Sequence, residues 1–392
     1  MGFLKTKNYN SQIKIYCNII LLLILIVIAG CAASKIIYDV KVDNNPYVMY
    51  GEVSSCNFFV PEEFSDSLNK KWEADINGSF PNSSVSIYSN LVFVNDLSGR
   101  VYCFNIDNGK KVGQLKLGNG VYTTPVLNMF EVIAVSAERK DNESTLQYYN
   151  YKKAELEKEV TIEGRVISEL IKIDDGIIFN TDKGIIYKYN FNAYQEWKCE
   201  TNEFTHSSPA LKDNIIVFGN DNGEIIGVDA IKGKLLYRIK ISKPFFASPS
   251  IIDKTILIGN DDGNLYVLDL STGKTNWSFE TGGRIIMTPA CDGSNIYIGN
   301  LKGDFFSINI KSHQLNWKIK YDGAFNTTPL VSENLILQPG IDRNLLFINK
   351  ENGEIVKTML FDGRVKLTPV YFRNILFIGY DNGILEAYEF QK

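Results

Sequence analysis

The sequence predicts an all-β chain: an eight-bladed β-propeller of four-stranded antiparallel blades, its ring closed by an N-terminal strand. Three observations lead there. A small-residue–proline pair recurs every 40 residues. A turn glycine follows most pairs at a fixed distance. The chain also has one aromatic-bearing strand too many at its start and lacks one at its end. Repetition at this period marks stacked supersecondary units, and four short strands per unit of about 40 residues mark a propeller blade.

The pairs are Ser208-Pro209, Ser248-Pro249, Thr288-Pro289, Thr328-Pro329 and Thr368-Pro369, with an earlier copy at Thr124-Pro125. The turn glycines are Gly223, Gly263, Gly303 and Gly383; Arg343 occupies the place once, and upstream Gly99 and Gly184 hold it without the proline. A longer turn near Asn142 supplies the eighth position. An Asx residue follows six positions later (Asn105, Asn190, Asp229, Asp269, Asn309, Asn349), suited to hydrogen-bond the next turn. An aromatic then follows in several units: Tyr237, Trp277 and Trp317, with Trp197 one residue early. Such rings cover much apolar surface and are expected to pack between blades.

Within one unit, "FFASPSII", "TILIG", "NLYVLDL" and "TNWSFET" read as strands a to d, rich in β-branched and aromatic residues. The Asn/Asp-Gly stretches between them tolerate the positive φ that tight hairpins require. Asn260-Asp261-Asp262-Gly263 also looks like part of a calcium loop. That reading would need a glutamate at position 12 and flanking helices, whereas its repetition at Asn220–Gly223 favours a hairpin turn. The last unit ends before its strand d. Trp72 sits upstream of Gly99 at nearly the spacing of Trp197 from Gly223, so it reads as the missing strand. Closing the ring this way leaves no open edge between first and last blades.

The N-terminus is of a different kind. Lys5, Lys7 and Lys14 precede an apolar run, Ile19 to Ala29, too short for a spanning helix and suited to a signal segment. It ends in Ile28-Ala29-Gly30-Cys31, which resembles the lipobox of bacterial lipoproteins and makes Cys31 the expected lipidated residue. The expected organisation is a lipoprotein signal peptide at 1–30, a lipidated N-terminus and linker at 31–69, and the propeller at 70–392. The linker has mixed polar and apolar content and is not low-complexity, so part of it is expected to pack on the propeller and the rest to act as a tether; a flexible chain of that length would reach roughly 30–37 Å.

The chain of 392 residues is 45% hydrophobic and 22% charged with a net charge of −4, which gives no basic footprint for nucleic acid. Two histidines, His206 and His313, lie in different turns, and no CxxC pair is present, so a zinc site or a conventional triad has little to work with. Cys56, Cys103, Cys199 and Cys291 read as packing residues rather than a disulfide framework.

The copy "SPSIIDKTILIGNDDGNLYVLDLSTGKTNW" resembles the quinoprotein-like (PQQ) propeller repeat, a likeness covering roughly residues 70–392. With the lipobox, the chain resembles the propeller lipoproteins of outer-membrane β-barrel assembly. That resemblance implies a monomeric, lipid-anchored scaffold facing the periplasm of a two-membrane host, binding protein partners such as the barrel-assembly subunit. The family's Leu-x-Leu-Arg partner contact aligns with Thr201-Asn202-Glu203-Phe204, so no partner-binding residue carries over. The motifs recur in every blade, as structural motifs do, and no catalytic residue, cofactor or metal ligand is singled out. Two other readings stay open. A PQQ-dependent dehydrogenase would need a calcium, a carboxylate base and usually an adjacent cysteine pair, which this chain lacks. A ligand-binding propeller would use the Tyr and Phe residues on one face.

Overall fold

The computed structural model describes residues 35–76, 78–138 and 142–391. The signal segment and Cys31 lie outside the described residues. Eight four-stranded antiparallel sheets follow one another along the chain. Blade 5, for example, is Ser250–Ile252, Thr255–Gly259, Asn264–Asp269 and Thr275–Glu280. Strand a is shorter than the sequence suggests. Pro249 lacks an amide donor, so pairing begins only after it; of "FFAS", Phe246 and Ser248 line the channel cavity while Phe245 and Ala247 are buried.

Blade 8 is completed as expected. Leu68–Asp75 pairs antiparallel with Ile384–Phe390 along its whole length. The Lys70 ammonium donates to the buried Glu386 carboxylate at 2.6 Å. The apolar core lies between blades; across the closure Trp72, Val92, Phe104, Phe377 and Leu385 form one cluster.

The repeated aromatic has a defined seat. The indole of Trp72 donates to the Ile106 carbonyl of the next blade at 2.7 Å, Trp197 to Ala230 at 3.1 Å, and Trp317 to Lys350 at 3.0 Å. The Tyr237 hydroxyl makes the same bond to Leu270 at 2.8 Å. Each ring lies on a glycine of the next blade's c–d turn. A Cβ on Gly233 would come within 2.5 Å of Trp197, and one on Gly353 within 2.7 Å of Trp317. In blade 6 that place belongs to His313, which stacks instead on Trp277 at 4.5 Å. Its ring is exposed, as its turn position suggested, but it has a packing partner.

Asn260–Gly263 forms the hairpin turn. Asn260 Oδ1 accepts from the Asp262 amide, and Asp262 accepts from the Asn264 amide and the Tyr266 hydroxyl at 2.7 Å. Asp262 is thus spent on the turn itself and Asp261 on an ion pair with Arg284, and no cluster able to hold a metal ion is found among the described residues. The Asx position behaves likewise: Asp269 accepts from the Ser271 and Thr272 hydroxyls at 2.6 and 2.7 Å and from the Thr272 amide, and those bonds hold its carboxyl below the usual range.

Arg343 departs from the pattern in residue type but not in geometry. It holds φ at +70°, and its carbonyl accepts from the Phe361 amide as Gly263 does from Thr281. A residue with a Cβ is strained there, at about 1–2 kcal/mol. Arg343→Gly should therefore raise stability by up to about 1 kcal/mol, after the entropy lost by glycine, measured as a shift in the urea midpoint.

Cys56, Cys103, Cys199 and Cys291 are free and buried. Burial pushes the Cys56 and Cys291 thiols up to about 12, which leaves them unreactive at neutral pH.

The linker packs on the propeller, as its mixed composition suggested for part of it, but over a longer stretch than expected. Residues 35–67 form a strap across the face carrying the a–b and c–d turns. Between Tyr47 and Phe58 the strap crosses the mouth of the central channel. There its carbonyls accept hydrogen bonds from the amides of Ile87, Leu127, Leu211, Ile251, Cys291 and Val331, at 2.5 to 3.0 Å. Each donor is the second residue of its blade's innermost strand. These amides point towards the channel axis, and the strap supplies the acceptors they would otherwise take from water. Tyr47, Met49, Phe58 and Phe64 are buried beneath it.

Candidate binding site at the open end of the channel

With one mouth crossed by the strap, the b–c turns and d–a loops surround the other. The small-residue–proline motif lies just below it. Strand a of each blade begins near the axis, where only short side chains fit, and the hydroxyl at this position can reach the neighbouring blade. The Ser84 amide donates to Thr124 Oγ1 at 2.9 Å, and the Ser208 amide donates to Ser248 Oγ at 2.9 Å. The motif that looked purely repetitive in sequence thus builds a polar collar around the channel.

One blade breaks the collar. In blade 3 Glu169 stands where the others carry a hydroxyl. Its carboxylate accepts from the Thr124 amide at 2.7 Å and from the Thr124 hydroxyl at 3.1 Å, and its own amide donates to Ser208 Oγ at 2.9 Å. Burial raises its carboxyl to about 8, against the lowering effect of the Thr124 bonds. It is therefore largely neutral at neutral pH. The sequence carried a signal for it: the unit between Thr124-Pro125 and Ser208-Pro209 lacks the pair and reads "SEL" instead.

A cavity of about 210 Å³ sits inside this collar. Glu169, Ser208, Ser248, Thr288 and Thr368 contribute to its wall, and Tyr50 rises into it from the strap. The Tyr50 hydroxyl lies 3.2 Å from Thr328 Oγ1 and 3.3 Å from Thr368 Oγ1. The rim is set by residues two places before the collar hydroxyls, and these differ from blade to blade: Asn82, Ile167, His206, Phe246, Ile286 and Asn326. His206 is not merely solvated. Its Nδ1 lies 2.8 Å from Asp221, and that bond raises its basicity.

The other residues singled out in the sequence lie away from this cavity. Gly99, Gly184, Gly223, Gly263, Gly303 and Gly383 sit in the surrounding b–c turns with positive φ. Trp72, Trp197, Tyr237, Trp277 and Trp317 lie on outer strands.

The quinone cofactor after which the repeat is named is a tricarboxylate. The cavity wall holds hydroxyls, amides, apolar side chains, one carboxyl and the His206 imidazole, which is already paired with Asp221, with no lysine or arginine to balance such charge. The chain has no adjacent cysteine pair. These residues do not fit that group.

Residues 182–288 and 280–360 match the family model described as outer membrane protein assembly factor BamB. No curated protein matches the chain. Among solved structures, BamB from Moraxella catarrhalis is 15% identical, with a TM-score of 0.69 over 83% of this chain and 100% of that one. The computationally designed Ika8 protein is 14% identical, with a TM-score of 0.71 over 82% and 99% of the two chains. Quinohemoprotein alcohol dehydrogenase from Comamonas testosteroni is 10% identical, with a TM-score of 0.72 over 88% of this chain and 80% of that one. Likeness at these identities is likeness of fold, shared by an assembly factor and a dehydrogenase alike. The chain is an eight-bladed β-propeller similar in fold to BamB, and its residues 182–360 match the repeat of that assembly-factor model.

Proposed function

We propose that this protein is a non-catalytic scaffold of the cell envelope, anchored by lipid at Cys31, that docks a protein partner during assembly of outer-membrane β-barrel proteins. The match of residues 182–360 to the assembly-factor model carries this reading. The placement of the chemistry supports it. The strap crosses one mouth, so the loops with blade-specific residues gather on the opposite face. Phe204 is exposed there, and Phe246 and His206 form an edge-to-face pair at 5.8 Å. Aromatic side chains that differ from blade to blade suit recognition of one partner.

The test is photo-crosslinking in native membranes from a probe placed at Phe204 or Phe246. Recovery of a barrel-assembly subunit is expected. Recovery of other envelope proteins only would sink the assembly role, and continued palmitate incorporation into Cys31→Ala would sink the anchor.

The polar cavity around Glu169 favours one other reading, a propeller that binds a small uncharged polar ligand. Saturable calorimetric binding of such a compound, lost in Glu169→Gln, would select it.

A further inference from the structure

The described chain begins at a definite place on the propeller. Ile36 is fully buried, and its carbonyl accepts from the Tyr149 hydroxyl of blade 2 at 2.8 Å. The next contacts repeat the seat: the Tyr38 amide donates to the Tyr151 carbonyl at 2.9 Å, and Asp39 pairs with Lys152 at 3.2 Å. Gly113 of blade 1 closes the other side; a Cβ there would meet the Lys35 carbonyl at 2.7 Å. The chain thus enters at the rim between blades 1 and 2, on the face crossed by the strap.

This entry point limits how the propeller can sit on a membrane. Only five residue steps separate Cys31 from Ile36, a reach of at most about 18 Å. A strand of six residues already spans about 20 Å, and the turns at either end add to it. A lipid at Cys31 therefore cannot pass around the blade edge and bring the opposite face against the bilayer.

The exposed apolar side chains share this polarity. Ile37 and Val42 lie on the strap, Met129 on the a–b turn of blade 2, Tyr194 on the c–d turn of blade 3 and Ile231 on the c–d turn of blade 4. Tyr194 is 71% exposed and Ile231 64%. Ile37, Met129, Tyr194 and Ile231 form an arc from the point of entry through blade 4, while Val42 lies towards blade 8; Leu315, Ile355 and Val356 add apolar surface at the outer-strand starts of blades 6 and 7. On the opposite face, the large exposed apolar side chains are Phe204 and Leu360. A tyrosine beside aliphatic side chains suits the boundary between headgroups and acyl chains. Charge of both signs is interspersed here: Lys152 pairs with Asp39 and Lys153 with Glu157 at 2.6 Å, and Lys172, Lys188 and Lys212 lie with Asp174, Asp175 and Asp213 around the pocket beside Ile231.

We propose that the strap-side rim of blades 1 to 4 rests on the lipid bilayer, which presents the open mouth of the channel to the aqueous compartment. The occupant of this arc is the surface of a zwitterionic bilayer. The inference deepens the reading of Cys31 as lipidated and rests on it.

The test is amide hydrogen exchange on the lipidated chain in phosphatidylcholine vesicles, compared with the Cys31→Ala chain in solution. Exchange is expected to slow several-fold at residues 37–42 and at the c–d turns of blades 3 and 4, with no change in the loops around Phe204 and Phe246. Slowing in those loops, or no slowing on either face, would overturn the proposal. Tyr194→Asp combined with Ile231→Asp should remove the protection at those two turns while the chain stays folded. A parallel sample separates the two claims. A chain starting at Cys31 is coupled through that thiol to a maleimide lipid in the same vesicles, the other four cysteines being buried. Protection of the arc in the coupled sample, with failure of the cell-derived chain to float with vesicles, would refute the native lipid and uphold the face. Absence of protection in the coupled sample would refute the face itself.

Discussion

A chain lacking residues 1–75 is expected to show no cooperative thermal transition. A chain lacking only residues 1–67 should still melt cooperatively, but lower by more than roughly 10 °C. The first deletion removes the strand Leu68–Asp75. Its partner Ile384–Phe390 then becomes an open edge, and the Trp72 indole no longer joins blade 8 to the Ile106 carbonyl of blade 1. Burial of one such aromatic is worth about 3–5 kcal/mol by truncation, on top of the lost ladder. Both deletions remove the strap. Its buried Ile36, Tyr47, Met49, Phe58 and Phe64 each contribute about 1.5–3 kcal/mol by area, an upper bound. The inner-strand amides would then be solvated by water in an opened channel, so each strap hydrogen bond costs only about 1 kcal/mol net. The strap losses by themselves, at their upper bound, reach the stability of an ordinary domain, about 5–15 kcal/mol, which a ring of eight blades exceeds. Loss of the closing strand as well takes the longer deletion beyond what the remaining ring supplies. Calorimetry on the two truncations checks the result; an unchanged melting temperature in the longer deletion would refute ring closure by this strand.

Glu169→Gln should stabilise the protein at pH 8 and leave it nearly unchanged at pH 5. The folded carboxyl titrates near 8, whereas the ordinary value is 4.5. Between those values the folded state holds a proton that the unfolded chain releases. Stability therefore falls as pH rises through this window, by up to ~1.4 kcal/mol per pH unit, and levels off above the folded value. Glutamine keeps an acceptor for the Thr124 amide and a donor for its hydroxyl, and it carries no charge to bury. The gain at pH 8 should be on the order of a few kcal/mol. Urea midpoints of both chains between pH 5 and 9 measure it; parallel curves would show that Glu169 is not the buried proton acceptor described above. The same carboxyl is the feature that makes one side of the channel unlike the rest.

Much of the architecture was legible in the sequence because repetition averages out local ambiguity. One copy of "NDDG" suits a calcium loop as well as a hairpin. Its recurrence on a 40-residue grid, beside Gly223 and Gly303, does not. Trp72 was readable as the closing strand because its spacing to Gly99 nearly repeats that of Trp197 to Gly223. Arg343 shows where the pattern misleads: the glycine is lost while the φ > 0 turn is kept, since neighbouring strands hold the backbone in place.

The site was less legible, for a physical reason. Glu169, Tyr50 and the rim residues come from the strap and from separate blades, and they meet only because the ring closes around one axis. Periodicity reports what blades share, whereas a binding site is made of what they do not share. The strap was hidden for a related reason. Its hydrogen bonds use backbone carbonyls, which any sequence possesses, so the mixed composition of residues 35–67 suggested that part of them packs but not where or how far. The sequence by itself determined the number of blades, their turns and the strand that closes them, because those follow from short-range chemistry repeated at constant spacing. Only the tertiary structure decided which end of the channel is crossed, where the Glu169 carboxyl points, and on which face the chain emerges, because each depends on contacts between residues far apart along the chain.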